Sequence, residues 1–296
     1  MPSEAAATLI ATYREYQLAP DAPGRTWQDL RVMSAGMAEA QPPAIGVEIT
    51  TGEAGGVPVE STRAEGSTPA RHVVYVHGGG YICGSAGGQR AFLAALARAA
   101  DAHVHAVEYR LAPEHACPAA IDDVIAATVA VQAAAGGEPV VVGGDSAGGG
   151  LAVAAVLEMR ERGLALPNAV FALSPWADMT LGGDTIESLA ERDVMVRRND
   201  LQMMRDCYLG EGDPSHRHVS PALADLSGLP PLLVQVGGDE VLVGDARLLA
   251  ARATADGVDA ELEEADGMFH TFQVLAPDLP ESQEAIASLA RFVKGA

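Results

Sequence analysis

The sequence predicts an α/β fold, with a mostly parallel central sheet of about eight strands, flanking helices and a helical cap. Three observations carry this. From about residue 70 onward, short β-branched runs alternate with helical patterns, as in consecutive βαβ units. Several runs, such as VVVGG at 140–144, are apolar throughout, which suits strands covered on both faces. One segment, between Trp176 and Pro230, breaks the alternation with short helical stretches and Pro/Gly/Ser-rich turns.

Element by element, residues 5–40 read as two helices broken at 20–24. Thr26 stands as a cap for the second, and Trp27, Leu30, Met33 and Met37 recur at helical spacing. Residues 45–50 and 57–62 alternate as a strand pair around Gly-rich turn signals. Strands then follow at HVVYV, HVHAVEY, PVVVGG, NAVFAL, PPLLVQVGG and VDAELEE. The helices between and after them fall at 86–100, 118–135, 147–162, 244–256 and 281–293. A further helix is expected at 200–208, inside the interruption. The expected division is an N-terminal helical cap segment at 1–42, a catalytic α/β body at 43–177 and 223–296, and a cap insertion at 178–222.

Composition limits the function. With 296 residues, 48% hydrophobic and 20% charged, the chain can bury a large core. A formal net charge of −21 is repelled by phosphate backbones and anionic lipid surfaces, so nucleic acid and membrane partners are not expected. The N-terminal stretch MPSEAAATLIATYREYQ has neither a basic n-region nor a long apolar h-region. No apolar run approaches the ~18 residues of a membrane span. Cys83, Cys117 and Cys207 are odd in number and unevenly spaced, pointing to free thiols in a reducing compartment. A cytoplasmic location is the expectation.

The chemistry centres on Gly144-Asp145-Ser146-Ala147-Gly148, a G-x-S-x-G run between an expected strand and an expected helix. Such a turn lifts the serine hydroxyl clear of the sheet. It requires small neighbours and sets the hydroxyl beside the N–H groups of a helix start. A neutral serine is a weak nucleophile and needs a base, an orienting carboxylate and an oxyanion hole. With this motif the chain order is serine, then acid, then histidine. His216 and His218 come too early, before the next strand, which leaves His270 as the base. Asp239 follows the preceding strand and is the expected acid, with Glu240 its close competitor. Asp245 falls inside the next helix pattern. Ala147 and the glycines of His77-Gly78-Gly79-Gly80 are the expected source of oxyanion donors.

Taken together, these residues resemble the hormone-sensitive-lipase-like bacterial esterases of the α/β-hydrolase fold, in the subgroup with a GDSAGG elbow. The resemblance covers most of the chain after residue 70. It includes HGGGY (77–81), YRLAPEH (109–115), GDSAGGG (144–150), SPWADMT (174–180), VGGDEVL (236–242) and FHTF (269–272). It implies hydrolysis of short-chain acyl esters without a cofactor, a small-molecule ester or lactone as the substrate, and a cap built from the N-terminus and the insertion. It also implies Gly78, Gly79 and Ala147 as the oxyanion donors and a structural His77 that anchors the loop. Relatives are often homodimers. Glu108 departs from the aspartate often found before the tyrosine of YRLAPE. The alternatives are a lactone hydrolase, an amide deacetylase and, in another functional class, a silent receptor of the kind the plant gibberellin receptor represents. The last is disfavoured because Ser146, Asp239 and His270 are all present.

Tyr81, Met203 and Met204 are assigned to the substrate pocket; Met33, Met37 and Met195 lie in the same cap segments, and for all five methionines ordinary packing of the cap onto the body is the alternative. The two His-x-His pairs, His103/His105 and His216/His218, have a spacing that permits metal binding on a strand. No third ligand is evident for either, so no metal is expected.

Overall fold

A computed structural model describes residues 2–17, 26–39 and 44–296. The expected break at 20–24 lies outside the described residues. Helix α1 (Glu4–Gln17) is followed by α2 (Trp27–Glu39). Thr26 caps α2 as expected. Its Oγ1 accepts the Asp29 N–H, and the Asp29 carboxylate accepts the Thr26 N–H in return.

The sheet then begins with β1 (Val47–Ala54) and β2 (Val57–Ala64), an antiparallel pair turning on Gly55 and Gly56. After it come β3 (His72–Val76), α3 (Arg90–Ala100), β4 (His103–Val107), α4 (Ala119–Ala135), β5 (Val140–Asp145), α5 (Ala147–Glu161) and β6 (Ala169–Leu173). The interruption supplies α6 (Thr185–Ser188) and α7 (Arg198–Leu209). The fold closes with β7 (Leu232–Gly237), α8 (Val243–Ala255), β8 (Ala260–Ala265), α9 (Phe272–Leu275) and α10 (Pro280–Gly295). The eight strands lie in the order β1-β2-β4-β3-β5-β6-β7-β8. β2 runs antiparallel to β4, and every later pairing is parallel.

The alternation of side chains along each strand divides the core into two layers. Val73 and Tyr75 of β3 face one way, with Val104, Ala106, Val141 and Phe171, and meet α3 and α10. In α10, Ile286, Leu289, Ala290 and Val293 are buried at i, i+3, i+4 and i+7, the stripe a surface helix needs to seat on a sheet. Val74 and Val76 face the other way, toward α4 and α5. α5 is buried along nearly its whole length, from Ala147 to Met159. The strand that precedes it, β5, is also fully buried, so the strand-to-helix turn at 146 is anchored on both sides.

Parallel strands align their carboxyl ends, and Val76 of β3 pairs with Gly144 of β5. The loop after β3 and the turn after β5 therefore emerge side by side. The loops after β7 and β8 open on the same edge. α2 and the β6–β7 insertion cover that edge, and no described helix is long and apolar enough to cross a membrane.

Candidate active site

Ser146 sits at the β5–α5 turn with φ 54° and ψ −124°, a left-handed value that non-glycine residues rarely hold. Its N–H donates to Leu173 O at 2.8 Å, and its own carbonyl accepts the Trp176 N–H at 3.0 Å. The turn is possible because its neighbours lack side chains. A Cβ on Gly144 or on Gly148 would stand 2.2 Å from Val76 O in each case. This is the steric content of G-x-S-x-G here: the end of β3 occupies the space.

His270 reaches this serine from the loop after β8. Its Nε2 lies 2.9 Å from Ser146 Oγ, and its Nδ1 lies 3.2 Å from Glu240 Oε1. Glu240 is fully buried. Its Oε2 accepts the Ser174 hydroxyl at 2.8 Å, and Ser174 Oγ accepts the Thr271 N–H at 3.0 Å. The residue beside the histidine is thus tied to the same carboxylate through one serine.

Asp239, the expected acid, is elsewhere. Its carboxylate pairs with Arg192 of the cap insertion, and its N–H donates to Met268 O. The cause lies in the turn after β7. Gly237 lets the histidine loop approach closely, since a Cβ there would stand 2.5 Å from Met268 O. The chain then turns through Gly238 and Asp239 along that loop. The first carboxylate after the strand points outward, and the second, Glu240, points beneath the imidazole. Asp245 is different again. It is buried in the first turn of α8 and accepts the Ala177 and Asp178 N–H groups at 3.0 and 2.8 Å. Burial, reinforced by Asp178 and Glu240, pushes its carboxyl up to about 7 despite those two bonds.

His270 is also shifted. Burial opposes its charged form, but Glu240, with Asp193 and Asp145 farther off, outweighs burial and raises its pKa above the ordinary value. Asp193 belongs to the β6–β7 insertion and accepts the N–H groups of Met195, Val196 and Val241, joining the insertion to the residue next to Glu240.

The glycine loop after β3 is held by Asp145, whose Oδ1 accepts Tyr75 Oη at 2.6 Å, Gly78 N–H at 2.9 Å and Gln89 Nε2 at 2.9 Å. The Gly78 N–H is therefore committed to Asp145, which corrects its assignment as an oxyanion donor. The N–H groups of Gly79, Gly80 and Ala147 have no acceptor among the described residues. Gly79 (φ 115°) and Gly80 (φ 60°) need the conformational freedom of glycine. A Cβ on Gly80 would strike Met204 Sδ at 2.2 Å. His77 is buried beneath this loop, stacked on Tyr109 at 4.3 Å, with Nδ1–H donating to Gly78 O at 2.7 Å. Glu108 accepts the Ala86 N–H at 2.9 Å, and its other carboxylate oxygen lies 3.9 Å from His77 Nε2.

A cavity of about 250 Å³ opens over Ser146 and His270. Leu30 and Met33 of α2, Met195 and Leu201 of the insertion, and Met204 of α7 form its apolar wall. Of the three expected pocket residues, only Met204 lines it. Met203, like Met204, packs against the core but does not reach the cavity. Tyr81 is buried, its ring stacked on Tyr208 at 3.9 Å. The Met37 side chain lies outside the described residues. α2 is fixed over the cavity by Arg31, which donates to Ile82 O and Ala112 O and forms a two-pronged pair with Glu114.

His216 and His218 lie far from Ser146 in the insertion, where His216 Nδ1 accepts the His218 N–H at 3.3 Å. His218 Nε2 lies 2.8 Å from Glu158 Oε2 on α5, where Arg217 and Arg162 also bond the carboxylate. Burial pushes that carboxyl up, but these three partners together hold it at about 2.

The family model described as alpha/beta hydrolase fold matches residues 73–274. An acetyl-hydrolase from Streptomyces hygroscopicus is 40% identical over 245 residues, covering 81% of this chain and 82% of that protein. An esterase from Acinetobacter venetianus is 31% identical over 240 residues, covering 80% and 78%. Among solved structures, an esterase of the bacterial hormone-sensitive lipase family superposes with a TM-score of 0.92 at 40% identity, over 100% of this chain and 99% of that one. A hormone-sensitive lipase from a metagenome library gives 0.94 at 34% identity, with the same coverage. With that sheet order and these matches, the chain belongs to the hormone-sensitive-lipase-like esterases of the α/β-hydrolase fold.

Proposed function

We propose that the chain is a serine carboxylesterase that hydrolyses short-chain acyl esters through an acyl-enzyme. The observation that carries this is the continuous Ser146 Oγ–His270 Nε2 and His270 Nδ1–Glu240 Oε1 contact. His270 takes the hydroxyl proton as Oγ attacks the ester carbonyl. Glu240 holds the imidazole with its Nε2 lone pair toward the serine and stabilises the imidazolium. The Gly79, Gly80 and Ala147 N–H groups receive the oxyanion of the tetrahedral intermediate. The alcohol leaves with the proton from His270, and water, deprotonated by the same nitrogen, then releases the acid and restores Ser146.

The small apolar cavity supports a short acyl group, since drug-sized ligands occupy ~300–1,000 Å³. The likeness to a protein named acetyl-hydrolase points the same way. The test is a nitrophenyl ester series from acetate to decanoate, run beside a panel of lactones on the wild type and Ser146→Ala. The expected result is the highest kcat/KM at acetate to butyrate, and background turnover in a Ser146→Ala protein with unchanged circular dichroism. Activity retained in that variant overturns the mechanism. A lactone preferred over every acyclic ester overturns the substrate reading.

A further inference from the structure

At the opposite end of the sheet from Ser146, three histidines meet. His72 opens β3 and His103 opens β4, and parallel pairing sets them side by side. His105, two residues along β4, shares their face. His72 is distant from His103 and His105 in sequence, and only the pairing of β3 with β4 brings it to them. The absence of a third ligand expected from sequence is thereby corrected.

One nitrogen from each ring lies within 4.8 Å of the others. His72 Nδ1 and His105 Nε2 are 3.0 Å apart. Two ligands on a tetrahedral zinc at ~2.0–2.1 Å stand about 3.3 Å apart, so this pair is already near that spacing. Their outward nitrogens are occupied. His72 Nε2 lies 3.1 Å from Glu138 Oε2, and His105 Nδ1 lies 2.9 Å from Ser61 Oγ. Carboxylate or hydroxyl partners on the far nitrogen are what orient metal-binding imidazoles. All three side chains are half-buried, within reach of solvent.

We propose that His72, His103 and His105 bind one Zn²⁺ per chain, with three imidazole nitrogens and a solvent molecule as the fourth ligand. The ion joins β3 to β4, with Ser61 of β2 and Glu138 before β5 as its outer support. His72 pairs with Val140, six residues before Ser146, so the site lies roughly 20 Å from the nucleophile at ~3.3 Å per residue. It holds the sheet and takes no part in ester hydrolysis.

The test uses untagged, chelator-treated full-length protein titrated with ZnCl₂ by calorimetry, and with CoCl₂ by visible absorption. The expected result is one equivalent bound, the absorption of four-coordinate cobalt displaced by zinc, and a higher melting temperature with zinc. His103→Ala and His105→Ala should each weaken binding by at least about 100-fold, and Glu138→Gln by about tenfold. These variants keep wild-type esterase turnover, which shows that they fold, and His216→Ala keeps full binding. Failure to saturate at one equivalent, or binding that survives both His103→Ala and His105→Ala, overturns the proposal.

Discussion

Glu240 Oε1 lies 3.2 Å from His270 Nδ1, whereas the adjacent carboxylate of Asp239 turns away to Arg192. Two neighbouring acids of like chemistry are separated by one residue of turn. Glu240→Ala should lower kcat by about 10²–10⁴-fold, the usual worth of oriented acid–base catalysis. Asp239→Ala should stay within about fivefold of the wild type, the reach of a ~1 kcal/mol exposed ion pair. Steady-state kinetics on a nitrophenyl ester decides, and the reverse ranking would restore Asp239 as the acid.

The raised pKa of His270 sets the acid limb of the pH profile. The base works only when neutral, so kcat/KM should rise with pH through an apparent pKa above 6.5. Glu240→Gln removes the negative charge that favours the imidazolium. Its limb should move to lower pH even as its plateau falls. A limb at the same pH in both proteins would mean that Glu240 does not act on His270.

Asp245 makes a stability prediction with a definite sign. Its carboxyl is raised from 3.8 to about 7 in the fold, so folding favours the protonated form. Stability is therefore lost as pH rises from about 4, and the loss is complete above about 7. Asp245→Asn keeps an acceptor for the Ala177 and Asp178 N–H groups without the charge. Its melting temperature should gain on the wild type as pH is raised from 5 to 8. A constant difference across that range would contradict the burial argument.

Met204 walls the cavity over Ser146, with its sulfur against Gly80. Met204→Ala should shift the preferred ester toward longer chains. The gain in kcat/KM should be roughly fourfold per methylene accommodated, from ~0.8 kcal/mol for each buried CH₂. An unchanged chain-length profile would place the acyl group elsewhere.

The fold was legible because β-branched runs and helical spacing repeat with little interruption, and because parallel pairing leaves strands such as β5 apolar throughout. Ser146 and His270 were legible because a strained turn and chain order restrict them. The choice between Asp239 and Glu240 was not, since it depends on how the turn after β7 lies against Met268. Gly78 looked like its glycine neighbours until Asp145 was seen to take its N–H. Tyr81 and Met203 were placed by proximity in sequence, but their side chains pack inward. The fastening of α2 by Arg31 to the backbone at Ile82 and Ala112 had no sequence signal, because arginine can find carbonyl partners at any distance along the chain.

The central claim is that Ser146 becomes acylated. Rapid-quench mixing with nitrophenyl acetate, followed by intact-mass and peptide mass spectrometry, tests it directly. The account predicts a nitrophenol burst approaching one equivalent when deacylation limits turnover, and an acetyl group on the peptide containing Ser146. No adduct should form in Ser146→Ala. An acetyl group on another residue that forms and decays at the turnover rate, or full turnover by Ser146→Ala, would contradict it.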